Sequence, residues 1–212
     1  VTGTLNIESN TKLIVHPYAL GIWLGDGATA SGIIASGDED LKGLIKNMQE
    51  VGYEASSIKH IEKDSGNGNI VTFPRLKKEL KEAGLLGQLK RIPIEYLRAS
   101  TKNRIELFQG LIDTDGSIDK DAGRVWYGVG PNRKLIEDVQ ELYNTLGVKT
   151  SLSDSIAAAY VDGVRGVDRP KTTIAAFTEF QPCKLPRKLA NWTPGSEYSQ
   201  GTRHISRCIT DI

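Results

Sequence analysis

A nine-residue pattern occurs twice in this chain, at residues 19–27 and again at residues 108–116. Both copies read apolar, any residue, glycine, two apolar residues, any residue, a small residue, then aspartate and glycine. Such a repeat constrains the fold strongly, because it indicates one structural unit used twice with approximate twofold symmetry. It also places Asp26 and Asp115 at equivalent positions in the two units.

Each copy is typical of a helix that ends abruptly. The apolar residues of the pattern suit a helix, and Pro17 suits the first turn of the first helix. Gly27 and Gly116 directly follow the aspartates, and glycine is the usual residue in a left-handed C-cap. We therefore expect two motif helices, each closed by a left-handed glycine.

Small residues recur four positions apart in both copies, as Gly21 with Gly25 and as Gly110 with Thr114. Residues at this spacing share one helix face, so the two motif helices are expected to pack closely through it. The two aspartates would then lie side by side at helix C-termini. Carboxylates there repel each other unless a divalent cation lies between them, and oxygen ligands suit Mg²⁺.

A comparison of the two copies separates essential from incidental acids. The sixth position is Leu24 in the first copy and Asp113 in the second, so an acid there is not part of the shared design. The eighth position is aspartate in both, so the predicted pair is Asp26 and Asp115. A calcium-binding loop that starts at Asp113 is rejected, because its glycine would come two places early and Arg124 would replace the final glutamate.

These motifs resemble those of the LAGLIDADG homing endonucleases, specifically the single-chain, two-motif type found in inteins. Residues 90–97, Lys-Arg-Ile-Pro-Ile-Glu-Tyr-Leu, resemble the Lys-x-Ile-Pro segment of that family, which carries an active-site lysine. The resemblance extends over residues 17–192. It departs from the family pattern in the first motif, which begins Ala-Leu and lacks the sixth-position acid.

The resemblance implies an active site with two aspartates and two lysines. Lys90 would be the first lysine, and the second would be Lys184 or Lys188, both within residues 183–189. Spacing from the motif favours Lys188 without excluding Lys184. The aspartates would bind Mg²⁺, with Mn²⁺ able to substitute, rather than act as general bases. The expected metal ligands are Asp26, Asp115, Gly25 and Thr114.

The resemblance also implies an α+β fold of two pseudo-symmetric αββαββα repeats, with an antiparallel β saddle over DNA and two central motif helices. Amphipathic patterns predict helices at residues 38–51 and 131–146, at similar places in the two halves. The tail resembles the strand that returns to an intein splicing domain. The expected segments are a lead-in at 1–16, repeats at 17–100 and 104–192 joined by 100–103, and the tail at 193–212.

Charge is uneven along the chain, although the net charge is only +1. Lys and Arg exceed Asp and Glu in residues 53–105 and 160–208, and a polyanion needs a basic face rather than a basic total. For Trp126, as for Trp23, a place in the core is favoured over stacking on bases. The residues expected to contact DNA are Lys59, Arg75, Arg124, Trp126, Lys149, Arg169 and Lys171.

The resulting expectation is a site-specific endonuclease that cuts one phosphodiester per strand at a long asymmetric target and promotes mobility of its intein or intron. The alternative is a cleavage-deficient LAGLIDADG DNA-binding protein or an RNA maturase. A cytoplasmic protein is expected, since there are only two cysteines and no long apolar run. A monomer is expected, because the two motif helices of one chain would pair with each other. The given sequence starts with Val1 and ends with Ile212, so self-splicing is not expected of it.

Overall fold

The computed structural model describes residues 4–7, 12–62, 68–157, 160–161 and 164–194. The first half of the chain begins with a motif helix that runs into a small sheet and further helices. Its elements are α1 (Pro17–Asp26), β1 (Ile33–Ser36), α2 (Asp38–Glu50), β2 (Ser57–Ile61), β3 (Gly68–Thr72), α3 (Pro74–Glu82) and α4 (Ile94–Leu97).

The second half begins with the other motif helix and has a larger set of strands. Its elements are α5 (Thr101–Thr114), β4 (Gly116–Ile118), β5 (Val125–Val129), α6 (Arg133–Thr145), β6 (Ser151–Ala157), β7 (Tyr160–Val161), β8 (Val164–Arg165), β9 (Arg169–Ala176) and α7 (Pro186–Leu189).

Helix ends follow local sequence signals. Pro17 opens α1, and the His16 ring accepts a hydrogen bond from the second residue of the helix. Gly52 follows α2 with φ +89° and Gly147 follows α6 with φ +76°, so these two helices end as glycine ends predict. Residues 100–103, expected to join the repeats, are instead the N-cap and first turn of α5, because the Ser100 hydroxyl caps that helix.

Each half contributes an antiparallel sheet, with strand orders β1-β3-β2 and β4-β5-β9-β6. The halves are less symmetric than the predicted αββαββα pattern. Between α1 and α2 the described residues contain one strand instead of two, and a single bridge between Gly27 and Ile34 takes the place of the β4–β5 pair. The predicted turn at residues 65–68 lies largely outside the described residues, as does the tail from residue 195.

One hydrophobic core extends through both halves, with α1 and α5 at its centre. Trp23 is 1% exposed, as expected of a core residue. The lead-in packs on the second half: the Leu5 amide donates to the Thr145 carbonyl at 3.0 Å, and the buried Arg104 guanidinium donates to that carbonyl at 2.6 Å. Across the ranges described above, none of the helices has the length and apolar character needed to cross a bilayer.

Candidate active site

The motif helices α1 and α5 approach each other so closely that side chains are excluded from the contact. A Cβ atom on Gly21 would lie 2.4 Å from the Leu107 carbonyl oxygen, and one on Gly110 would meet the α1 backbone at 2.3 Å. A Cβ atom on Gly25 would lie 2.0 Å from Thr114 Oγ1. The four residues predicted to form this interface therefore face each other, which brings the two helix C-termini together.

The glycines that follow the motif aspartates have a different role from the one predicted. Gly27 has φ −77° and ψ 145°, and Gly116 is not among the glycines with positive φ, so neither is a left-handed cap. A Cβ atom on Gly27 would lie 2.3 Å from Trp23 Cδ1, and one on Gly116 would lie 2.6 Å from Ile112 Cα. Glycine is required here for close approach rather than for an unusual backbone conformation.

The two motif aspartates lie at these helix ends, where each side chain keeps only part of its contact with solvent. Asp26 is the last residue of α1, and Asp115 directly follows α5. Loss of solvent around Asp26, together with the charge of Asp115, raises the pKa of Asp26 to about 6 although Lys188 and Lys90 oppose the shift. Loss of solvent also raises the pKa of Asp115. Because the two helix C-termini adjoin, the negative charge of Asp115 acts on the Asp26 carboxylate.

Lys90 lies directly against the end of α1. Its Nζ donates to the carbonyl oxygens of Gly25 at 3.0 Å and Gly27 at 2.6 Å, and it lies 5.3 Å from the centre of the Trp23 ring. Burial lowers the pKa of Lys90, while the negative charges of the two motif aspartates oppose that shift. The Lys90 amine is thus fixed beside the aspartate that ends α1.

Lys188 has the same relationship to α5. Its side chain is buried, and its Nζ lies 2.7–2.9 Å from the carbonyl oxygens of Ile112, Asp113, Thr114 and Gly116, which share its three N–H donors. Thr114 and Gly116 are the seventh and ninth motif residues, the same two positions that the first lysine contacts. Burial lowers the pKa of Lys188, and the nearby carboxylates oppose the shift.

Lys184, the other candidate for the second lysine, has a different position. Its Nζ lies 4.4 Å from the centre of the Tyr18 ring, near the start of α1. Its backbone amide donates to the Asp113 carboxylate at 3.0 Å. Of the two candidates, only Lys188 has its amine at a motif-helix C-terminus, because α7 turns the chain back toward α5.

Asp113 is a buried hydrogen-bond acceptor, which its sequence context did not indicate. It is 4% exposed, accepts a hydrogen bond from the Tyr18 hydroxyl at 2.7 Å, and accepts backbone hydrogen bonds from Lys184 and Leu185. Burial raises the pKa of Asp113, although these hydrogen bonds oppose the shift. Asp113 therefore anchors the segment that carries Lys188, and it is not one of the paired carboxylates.

The expected metal ligands would supply carboxylate and backbone carbonyl oxygens, and their binding to a metal stays a prediction. The described ranges contain no group of three or more His, Cys, Asp or Glu residues that could hold a metal ion. The Thr114 hydroxyl donates to carbonyls of its own helix at 2.9 and 3.1 Å, so Thr114, like Gly25, would offer a cation its backbone carbonyl oxygen. A divalent cation would find carboxylate oxygens from Asp26 and Asp115, and would take further oxygens from the carbonyls of Gly25 and Thr114, water or a phosphate, which suits Mg²⁺.

The register of the larger sheet places several predicted DNA contacts on its open face. Trp126 pairs with Ala175 and alternates with the buried Tyr127, so its half-buried ring lies on the face opposite the core, contrary to its favoured place in the core. The Arg124 guanidinium lies 5.7 Å from the centre of the Trp126 ring. Exposed residues that share this side are Lys171 and Arg169 on β9, with Lys149 just before β6.

The smaller sheet contributes one predicted contact. Lys59 is exposed on β2 and pairs with Ile70, on the face opposite the buried Val71. Basic residues are therefore present on the open faces of both sheets. The larger sheet carries more of them than the smaller one among the predicted contacts.

Arg75, also predicted to contact DNA, is exposed near the start of α1, and its contact with DNA stays a prediction. Its guanidinium donates to the Gly52 carbonyl at 3.1 Å and lies 5.1 Å from the centre of the Tyr53 ring. The Tyr53 hydroxyl in turn accepts a hydrogen bond from the His16 amide at the start of α1. A ten-residue helix is about 15 Å long, so Arg75 lies at the end of α1 far from Asp26.

Comparison with known proteins adds three findings. Residues 102–167 match a LAGLIDADG-like domain. The chain is 36% identical over 204 residues to a replicative DNA helicase DnaB from Mycobacterium intracellulare, but spans only 30% of that protein's length. Mesophilic variants of the homing endonuclease I-DmoI match with a TM-score of 0.53 and 17% identity, over 84% of this chain and 97% of that chain.

A second structure of I-DmoI, in complex with DNA and Ca, matches with a TM-score of 0.50 and 16% identity over the same shares of the two chains. At such identities these likenesses establish the fold alone. Together with the LAGLIDADG-like domain and the two motif helices of this structure, they identify the expected α+β architecture. The chain therefore contains a LAGLIDADG-like domain at residues 102–167 and has the fold of the homing endonuclease I-DmoI.

Proposed function

We propose that this protein is a metal-dependent, site-specific endonuclease that cuts both strands of a DNA duplex. The observation that carries the proposal is the symmetric pair of aspartate and lysine units. Asp26 with Lys90 and Asp115 with Lys188 lie at the adjacent C-termini of two closely packed helices. A duplex presents two strands of opposite direction, and approximate twofold symmetry provides one unit for each strand.

Four residues of the chain would carry out the reaction together with the metal. Asp26 and Asp115 would hold divalent cations, for which we propose Mg²⁺ with Mn²⁺ able to substitute. A bound divalent cation supplies an activated water and neutralises phosphate oxygens. Lys90 and Lys188 place fixed positive charges beside these carboxylates, where they would stabilise the charge that develops during phosphodiester hydrolysis. Because backbone carbonyls hold both amines, little reorganisation is needed when the reaction occurs.

DNA binding is supported by the open face of the larger sheet and by one structural relative. The relative I-DmoI has been solved in complex with DNA and Ca. In this chain Arg124, Arg169 and Lys171 would contact phosphates, and the ribbon of β6 and β9 has dimensions that suit a major groove. The two halves share one core, so we propose that the chain acts as a monomer on an asymmetric target.

The helicase relative supports an association with an intein. The match of 204 residues covers 95% of this chain but only 30% of the helicase relative. The matching part of the relative is thus similar to a chain with the fold of a homing endonuclease. We therefore propose that the matching segment of the relative is an insertion within a helicase. On this proposal our chain promotes mobility of an intein in a helicase gene, in the cytoplasm of a host cell. The proposed return strand, residues 193–212, lies almost entirely outside the described residues.

The test is cleavage of a plasmid that carries an uninterrupted helicase coding sequence, with and without Mg²⁺. Linearisation at one site that requires the metal would support the proposal. A protein that binds this duplex without cutting it, under conditions where Mn²⁺ also fails, would instead favour the alternative of a cleavage-deficient DNA-binding protein. Binding to a structured RNA in preference to the duplex would favour an RNA maturase.

A further inference from the structure

The segment that carries Lys90 is held by a helix of the opposite half. The Asn132 side-chain amide donates to the Lys90 carbonyl at 2.8 Å, at the start of α6. The Arg91 guanidinium donates twice to the Asp138 carboxylate of α6, at 2.5 and 2.6 Å. The Ile92 amide also donates to Asp138, at 3.0 Å. The Lys90 amine thus contacts α1 of the first half, while its backbone is attached to the second half.

The segment that carries Lys188 has the reciprocal arrangement. The Arg187 guanidinium donates to both oxygens of Asp40 at 3.0 and 2.6 Å, and lies 3.3 Å from Glu39. Both acids belong to the first turn of α2 in the first half. The Lys188 amine contacts α5 of the second half, so this segment also extends between the halves.

Planar, two-point pairs between arginine and carboxylate restrict orientation more than a single contact does. We propose that Arg91 and Arg187 are positioning residues, each of which sets the location of the neighbouring lysine through a pair with the opposite half. The effect on cleavage rests on the proposed nuclease function, whereas the effect on lysine position does not. Each strand-cutting unit is then built from both halves, and loss of one arginine disturbs mainly one unit.

The chain offers a matched control. The Arg98 guanidinium lies 2.7 Å from Glu141, which also belongs to α6 and is one turn beyond Asp138. This pair, made through one contact, also joins the end of α4 to α6, but Arg98 is not adjacent in sequence to either motif lysine. Arg98→Met therefore removes a comparable link between the halves without touching a lysine segment.

Amine labelling tests the positional claim without any cleavage. The full chain is treated briefly with acetic anhydride, and acetylation at Lys90 and Lys188 is measured by mass spectrometry. Arg91→Met should increase labelling of Lys90 several-fold relative to Lys188, Arg187→Met should do the reverse, and Arg98→Met should change neither. Equal changes at both lysines, or none, would overturn the proposal. If Arg91→Met does not fold, Arg91→Lys, which keeps the charge but loses the two-point geometry, should show the same direction of change.

Strand-specific nicking tests the consequence. The duplex target is labelled on each strand separately, and the two first-cut rates are compared. Arg91→Met should slow one strand by about tenfold more than the other, since displacement of a reacting group by about 1 Å can cost up to about a hundredfold. The affected strand should be the one that Lys90→Met affects, and Arg187→Met should match Lys188→Met. Equal slowing of both strands would contradict the proposal. If the wild-type protein cuts neither strand, the nuclease function is rejected, and the labelling experiment alone decides whether the arginines position the lysines.

Discussion

Lys90 and Lys188 occupy the same position at the two motif helices, although they come from different points of their segments. Lys90 precedes an Ile-Pro pair, and Lys188 follows a Leu-Pro pair. Each amine nevertheless donates to the carbonyls of the seventh and ninth motif residues. The symmetry of the site therefore lies in where the amines are held, and not in the order of residues along the chain.

The first prediction separates Lys188 from Lys184. Lys188→Met should reduce the single-turnover cleavage rate by about a hundredfold or more, as expected when a fixed charge stabiliser is lost. It should also lower the free energy of unfolding by about 1–3 kcal/mol, because buried carbonyl oxygens lose their donor. Lys184→Met, whose amine lies over Tyr18, should change the rate little. A large rate loss for Lys184→Met with normal cutting by Lys188→Met would reverse the assignment.

The second prediction concerns the helix contact. Gly21→Ala adds a methyl group 2.4 Å from a backbone oxygen, so the helices must separate. Overpacking of this kind costs about 1–3 kcal/mol, and Gly21→Leu should cost more. Urea unfolding measures the loss. Gly130→Ala is the matched control, because a Cβ atom there meets nothing within 4 Å. Equal stability of the Gly21→Ala and Gly130→Ala variants would show that the close approach is not needed.

The third prediction follows from the raised pKa of Asp26, which is about 6 in the folded protein and near 3.8 in an isolated side chain. Between about pH 4 and pH 6 the folded state holds the Asp26 proton more tightly than the unfolded chain does, so rising pH lowers the free energy of unfolding. Asp26→Asn removes this pH-dependent contribution to the free energy of unfolding. The variant should therefore gain stability relative to the wild type across that range, with a constant difference above about pH 7.

Unfolding curves of both proteins at several pH values measure this difference. Mg²⁺ should then raise the melting temperature of the wild type at neutral pH more than that of Asp26→Asn, because binding to the folded state adds stability. A stability difference that does not vary with pH would show that Asp26 titrates normally in the folded protein.

The fourth prediction distinguishes the structural role of Asp113 from the proposed metal-binding role of Asp115. Asp113→Asn replaces an acceptor of three hydrogen bonds with a group that must also donate, inside the protein. We expect a loss of about 1–3 kcal/mol in the free energy of unfolding. Added Mg²⁺ should still stabilise this variant as it does the wild type. Loss of the Mg²⁺ response would place Asp113 among the metal ligands.

Much of the fold could be predicted from local signals. Pro17 marked the start of α1, and Gly52 and Gly147 marked the ends of α2 and α6, because these residues restrict the backbone directly. The pairing of the motif helices followed from small residues at helical spacing. These inferences need only the periodicity of a helix and the size of a side chain.

Other features depend on contacts between distant segments. Gly27 and Gly116 look like caps in sequence, but their role depends on Trp23 and Ile112 crowding the backbone. The choice of Lys188 required the geometry of α7. The place of Arg75 depended on the Tyr53 ring that it covers. None of these tertiary contacts is encoded by local spacing alone.

The central claim is that Asp26 and Asp115 are paired metal-binding carboxylates of a DNA-cutting site. Its most direct test is double-strand cleavage of the helicase-gene target in Mg²⁺ by Asp26→Asn and Asp115→Asn, with affinity for the same duplex measured in parallel. Both variants should lose cleavage by about a hundredfold or more and keep most of their affinity, since each loses metal binding while the open sheet faces are unchanged. Cutting by either variant at nearly the wild-type rate would contradict the account.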